Sequence, residues 1–269
     1  MKVTRLSDRH ELKDVNVNIQ FEGNFIKVYT EGDNRNVLPT DTMKNTVYAI
    51  AKNHSLHTIE EFGLALSDHF MKNNPEVSTV SIELVESAWN RISVQESPAR
   101  SAHHPSAFTG GGTEERFSTV VQTRTSVTIT SGIRNLLVLK TTGSAFRGYL
   151  KDKYTTLKET DDRILATNAE ISWLYTTPGV DYNSCFTKIR ETLLGTFADH
   201  ESLSVQHTLY AMGESALNAC ADISEISLTM PNKHCLLVDL SPFGMENKNE
   251  IFMPTSEPYG LISGTIKRQ

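Results

Sequence analysis

The chain has 269 residues, 38% of them hydrophobic, and a formal net charge of -6, with a sequence pI near 5.9. That length can bury one large core or two of ordinary domain size, and two domains are expected, over 1–133 and 134–269. The acidic balance, with no Lys/Arg cluster interleaved with aromatics, argues against a nucleic-acid partner. No apolar run nears the roughly 18 residues of a membrane span, and the polar start has no signal-peptide core. A cytoplasmic protein with no membrane partner is expected.

Residues 10–22 alternate, with Val15, Val17, Ile19 and Phe21 on one face, and predict a half-buried antiparallel strand. Glu22-Gly23-Asn24 ends it, and a short strand is expected at 25–29 within a polar connection. A helix is expected from Asp41 or Thr42 to about Lys52, capped by the Thr-Asp-Thr oxygens. A second, over 58–72, sets Ile59, Phe62, Leu66 and Phe70 at helical spacing, with Glu60 and Glu61 in its first turn. Strand signals return at Val80, Ile82 and Leu84, and again in one run from Val121 to Ile129. Between them a Pro/Gly/Ser-rich loop is expected over 96–113, containing His103, His104 and three consecutive glycines. Neither that His pair nor His54 with His57 has the Cys or carboxylate spacing of a metal site, so surface histidines and no metal are expected.

Residues 163–175 alternate through Ile171, Trp173 and Tyr175. Residues 181–197 place Tyr182, Phe186, Ile189, Leu193 and Phe197 on one helical face, and 204–220 read as another amphipathic helix. Two strands, 223–230 and 233–240, are expected to close this half across a Pro231-Asn232 turn. Each half therefore runs strands, two helices, strands, the order of an α+β fold with an antiparallel sheet carrying both helices on one face. In the first half one strand follows only about ten residues, so its outer edge is expected to be open or to lack a strand. Cys185, Cys220 and Cys235, odd in number and each in an apolar context, are expected to be reduced, buried thiols.

The stretch over 136–163, LLVLKTTGSAFRGYLKDKYTTLKETDDR, reads as a site. It opens as an apolar strand and loses periodicity at Lys140, as a long ordered loop would. A planar ring such as Phe146 and a cationic fork such as Arg163 suit a flat anion. The purely structural alternatives are Arg163 paired with Asp162 or Glu159, Phe146 and Val205 as core, and Thr40-Asp41 as a helix cap.

The run from Leu137 through Lys140-Thr141-Thr142, Ser144, Phe146 and Tyr149 to Tyr154, Leu157 and Arg163 resembles the signature segment of the urate oxidase (uricase) family. Pro39-Thr40-Asp41-Thr42 with Lys44-Asn45-Thr46, Ser204-Val205-Gln206 and Pro231-Asn232-Lys233-His234 agree with it, in order. The resemblance implies tandem tunnelling-fold (T-fold) domains, each an antiparallel sheet backed by two helices, with subunits closing a barrel and barrels stacking into a homotetramer. It implies oxidation of urate by O2 and water to 5-hydroxyisourate and hydrogen peroxide, with no metal or organic cofactor. By the same resemblance Phe146 stacks on the purine, Arg163, Gln206 and the Val205 main chain hold its edge, and Thr40 and Asp41 come from a neighbouring subunit. Asn232, with Thr40, would hold dioxygen or water above the ring, and His234 would join the proton relay.

Thr40 is expected to act as base together with a lysine. The family's lysine lies in an N-terminal Tyr-Gly-Lys strand, whereas Met1-Lys2-Val3 matches a later position, so that strand is expected to lie upstream of Met1 or to be lost. The alternative function is a T-fold purine-binding protein that holds urate-like anions without turnover.

Overall fold

The computed structural model describes residues 1–95 and 102–268. The chain divides into two compact units, Met1–Arg134 with Trp173–Cys185, and Asn135–Ser172 with Phe186–Gln269.

In the first unit, β1 (Lys2–Thr4) pairs antiparallel with β2 (Glu11–Lys13), and after Asp14 the chain continues as β3 (Val15–Gly23). The predicted strand is thus two, and the residues ahead of it carry a strand of their own. Val15, Val17, Ile19 and Phe21 pack on the core while Asn16, Asn18 and Gln20 stay exposed, as the alternation requires. A bulge at Glu22/Gly23 ends the pairing with β4, and 26–30 form the helix α1 (Ile26–Thr30) in place of the expected strand. Five residues are too few to show a helical period, and β-branched Ile26 and Val28 look like strand residues; Glu31 N–H to Lys27 O at 2.9 Å closes the turn.

Helix α2 (Thr40–Asn53) starts one residue earlier than expected and has no side-chain cap. Pro39 takes the cap position, and its carbonyl accepts Met43 N–H at 3.0 Å. Asp41 instead binds Lys44 at 2.6 Å and Asn45 at 2.9 Å. At the other end, Lys2 Nζ donates to Ala51 O at 2.8 Å and to His54 O.

Helix α3 (Ile59–Asn73) is capped by Thr58, whose hydroxyl accepts Glu61 N–H at 3.2 Å and donates to the Glu61 carboxylate at 3.0 Å. Its Ile59, Phe62, Leu66 and Phe70 are buried with Val80, Ile82 and Leu84. Gly63 allows the close approach: a Cβ there would lie 2.8 Å from Leu84 and from Val120. Beneath the helix Arg116 Nη2 binds both oxygens of the fully buried Glu60, at 3.0 and 2.8 Å, and Ser131 donates to the same carboxylate at 2.6 Å.

Strands β3, β4 (Val77–Ser93), β5 (His103–Thr123) and β6 (Val127–Lys140) follow one another antiparallel, with β3 at the end of the order. Two expectations are corrected here. The run from Val121 to Ile129 is the end of β5, a turn and the start of β6: the Ser126 carbonyl accepts Thr123 N–H at 2.8 Å, and Arg124 donates to Met71 O at 2.7 Å. No Gly, Asn or Pro marks that turn, so alternation ran through it in the sequence. The loop expected over 96–113 is strand from His103 onward, its glycines included; residues 96–101 lie outside the described residues. His57 and His103 are exposed as expected, but His54 and His104 are half-buried. His54 packs on Phe62 and accepts Leu56 N–H at 3.0 Å.

The second unit carries the later part of β6 and then β7 (Leu165–Tyr175), which runs on past Ser172, and the end of the order is β6, β7, β8 (Ile223–Asn232), β11 (Gly260–Lys267). Helix α4 (Tyr182–Asp199) buries Ile189, Leu193 and Phe197. Helix α5 (Val205–Ala219) is capped by the Ser204 hydroxyl, which accepts His207 N–H at 3.1 Å. It lies on β8 and β11 through Gly213, where a Cβ would meet Ile266 at 2.5 Å. The expected hairpin across Pro231-Asn232 is not formed: both residues belong to β8, opposite Leu261 and Gly260. Of the strand expected over 233–240 only β9 (Cys235–Leu237) is strand, and it pairs with β10 (Phe252–Pro254). Pro231, next to the last residue of β8, stands there opposite Leu261 although it has no N–H to donate.

The units repeat one device. Arg124 in the first reaches the carbonyls that end α3, while Arg268 in the second donates to Leu217 O at 2.6 Å and Cys220 O at 2.9 Å at the end of α5. No disulfide forms among the described residues; Cys185 and Cys220 are buried, but Cys235, at the start of a short strand, is only half-buried. No helix is long and apolar enough to cross a membrane.

Candidate active site

The site lies in the second unit, where the loop from β6 to β7 meets the end of β8. Residues 141–164 hold no helix, but the loop is fastened at its base. Phe146 and Thr160 exchange backbone bonds at 2.9 and 3.1 Å, and Ala145 N–H reaches Ser202 O at 2.7 Å. Lys233 N–H reaches Ala166 O at 2.9 Å, which sets Asn232 and His234 beside the start of β7. Further out, Tyr149 Oη donates to Leu157 O at 2.7 Å and Lys151 pairs with Glu159 at 2.7 Å.

These ties enclose a cavity of about 160 Å³ lined by Phe146, Thr160, Arg163, Asn232 and His234, with Lys158 and Lys233 at its walls. The Arg163 guanidinium carbon lies 5.3 Å from the Phe146 ring centroid, and that ring stacks on Tyr149 at 4.8 Å and 15°. Arg163 Nε is buried with no hydrogen-bond partner, and among the described residues no carboxylate pairs with the cation. The two candidates for that role are otherwise engaged. Glu159 is on Lys151, and Asp162 accepts from Gly143 N–H at 2.8 Å and the Thr142 hydroxyl at 2.7 Å. Burial accordingly pushes the Arg163 pKa down. A partly desolvated cation beside a stacked ring, in a cavity with two more lysines, has the chemistry to hold a planar anion.

A family model described as Uricase matches residues 1–121 and 129–263. The chain is 42% identical to the uricase of Arthrobacter globiformis over its whole length, covering 86% of that protein. It is 37% identical to the uricase of Dictyostelium discoideum, over 97% of this chain and 90% of that one. The crystal structure of the Arthrobacter globiformis uricase superposes with a TM-score of 0.94, covering 100% of this chain and 90% of that one. The chain belongs to the uricase family.

Uricases oxidise urate with O2 and water to 5-hydroxyisourate and hydrogen peroxide, without metal or organic cofactor. Of the residues the resemblance singles out, Phe146, Arg163, Asn232 and His234 come together around the cavity. Val205 and Gln206 do not line it; they are the first two residues of α5, Val205 buried and Gln206 exposed. Thr40 and Asp41 belong to the first unit, both exposed, and Thr40 lines a groove of about 410 Å³ with Lys44, Tyr48 and residues of β3. Lys2 serves α2 at the opposite end from Thr40. Eleven residues of helix at about 1.5 Å each put Ala51, its partner, roughly 16 Å from Thr40 along the axis. Reading the residues missed Thr160 and the backing ring of Tyr149 as parts of the site, and gave Asp162 only as a surface partner for Arg163. The signal for Asp162 was a short acidic side chain within reach of a Thr-Gly turn.

Proposed function

We propose that urate binds in the cavity beside Arg163, and that a neighbouring subunit completes the site. The chain is then a urate oxidase: urate, O2 and water give 5-hydroxyisourate and hydrogen peroxide, each atom accounted for by those reactants. The observation that carries the site assignment is the half-buried Arg163, whose buried Nε has no hydrogen-bond partner and whose guanidinium has no carboxylate on it among the described residues. Its fork pairs with adjacent acceptors on the purine edge, Phe146 covers the ring face, and the Gln206 amide and Val205 main chain take a second edge. Asn232 and Thr40 hold O2 or water above the ring, and His234 carries protons. Oxidation without a cofactor needs an electron-rich substrate, so the residues' work is to stabilise an over-deprotonated urate and move its protons.

The cavity is smaller than the roughly 300–1,000 Å³ of ordinary ligand pockets, which fits a half-site awaiting further walls. Thr40 and Asp41 of a neighbouring subunit are those walls. Two features support a closed barrel and a homotetramer of T-fold domains, divided near 133/134. β3 ends its strand order with one side unpaired, and Leu137, Leu139, Leu236, Met253 and Leu261 are exposed on strands of the second unit. Three thiols without a disulfide suit the cytoplasm. The test follows loss of urate absorbance together with peroxide release. Stoichiometric peroxide is expected; binding of urate with no peroxide would reduce the chain to a purine-binding protein, and no binding would remove the site altogether.

A further inference from the structure

Asp162 stands next to Arg163 in the chain, yet its carboxylate serves another segment. One oxygen accepts Gly143 N–H at 2.8 Å and Ser144 N–H at 3.4 Å, and the other accepts the Thr142 hydroxyl at 2.7 Å. Gly143 sits at φ +72°, a conformation the turn needs and most residues resist. Two hydrogen-bonded paths leave that turn. One runs through Ala145 to Phe146, which is bonded to Thr160. The other crosses to Ser202, whose N–H donates to Gly143 O at 2.9 Å and whose hydroxyl donates to Ser204 O at 3.1 Å. Ser204 caps α5, whose first residues are Val205 and Gln206. Lys140 reinforces this path by donating to His200 O.

We propose that Asp162 is a positioning residue for the urate site. It locks the 142–144 turn and thereby sets Phe146 and the start of α5 in fixed relation to Arg163. The inference rests on the assignment of Phe146, Arg163, Val205 and Gln206 made above. Asp162 touches none of the proposed reacting atoms. The Thr142 hydroxyl, with the backbone donors, holds its carboxyl below the usual carboxylate range, so it is an acceptor at every one of these bonds at neutral pH. It is exposed, so its removal loosens the loop without emptying a core.

The test compares Asp162→Ala with Asp162→Asn. The amide keeps an acceptor for Gly143 N–H and can donate to the Thr142 hydroxyl, which accepts as readily as it donates. In Asp162→Ala, KM for urate and the dissociation constant of an unreactive planar purine anion are each expected to rise by about tenfold or more, the scale of a small misplacement of binding groups. Asp162→Asn is expected to recover most of both. A change within twofold in Asp162→Ala overturns the proposal, as does an Asn variant as impaired as the Ala variant, which would make charge and not the hydrogen-bonded turn the cause. Arg163→Ala, measured alongside, separates the two levels. If it leaves analogue affinity unchanged, the site assignment itself has failed; if it weakens binding while Asp162→Ala does not, only the positioning role falls. Should Asp162→Ala not fold, Thr142→Val removes one of the bonds alone, and an unchanged KM there also overturns the role.

Discussion

Two side chains show how a single cation is handled in opposite ways. Arg116 is buried against Glu60, and the pair is completed by Ser131 and by Asn183, which accepts from Arg116 at 2.7 Å. Removing the carboxylate would take the counter-charge from a largely buried cation, so Glu60→Ala is expected to lower stability by about 3 to 5 kcal/mol, read from the urea midpoint. A loss under about 1 kcal/mol would mean that Arg116 escapes to water. Arg163 has no such carboxylate among the described residues, and the partner proposed for it is the ligand. Arg163→Ala is therefore expected to leave the urea midpoint nearly unchanged while weakening an unreactive purine anion by about 2 to 5 kcal/mol, measured by titration calorimetry. Equal affinity in both proteins would place the anion elsewhere. The contrast was partly legible in the residues: Arg163 stood in an aperiodic loop with an aromatic, whereas Glu60 read only as a first-turn acid suited to a helix dipole. Its burial depends on Arg116, more than 50 residues away, which no local pattern announces.

Elements with long periods were legible and elements set by distant pairing were not. α3 and α5 each show four apolar residues at helical spacing behind a Ser or Thr cap, and both were placed to within a residue or two. β8 was found too, but its partner was assigned to the residues directly after Pro231-Asn232. The true partner, β11, begins at Gly260 beyond a short helical turn and two three-residue strands. Its Gly-Leu-Ile-Ser-Gly-Thr-Ile run has weak alternation, and only the register against β8 gives it meaning. The arginine that follows it ties this end of the sheet to α5. Arg268→Ala leaves the Leu217 and Cys220 carbonyls without those donors. It is expected to cost about 1 to 3 kcal/mol in the urea midpoint. Lys267→Ala, which breaks only an exposed pair with Glu225 at 3.2 Å, serves as the control and is expected to cost under about 0.5 kcal/mol. Similar losses for both would deny Arg268 its part in holding α5.

At the scale of the whole molecule, the proposed sharing of the site between subunits predicts an outcome that no single subunit can give. If Thr40→Ala and Arg163→Ala each disable one of the proposed contributions, oligomers assembled from a mixture should regain sites built from the intact Arg163 of one subunit and the intact Thr40 of another. Urate turnover in mixed, refolded samples is expected to exceed that of either variant alone. Mixed oligomers with no gain would place both contributions in one chain. The fastening of the 141–164 loop has a different consequence. Its tip, where Asp152 accepts Tyr154 N–H at 2.9 Å, carries Lys153 and the exposed Leu150 and Tyr154, while both flanks are tied down, to Ser202, Thr160 and Leu157. A trypsin nick after Lys153 would therefore cut the covalent chain without releasing either piece. The two fragments should migrate as one species in native conditions and separate only in denaturant, making the tip a tolerant place to insert a label or a second polypeptide.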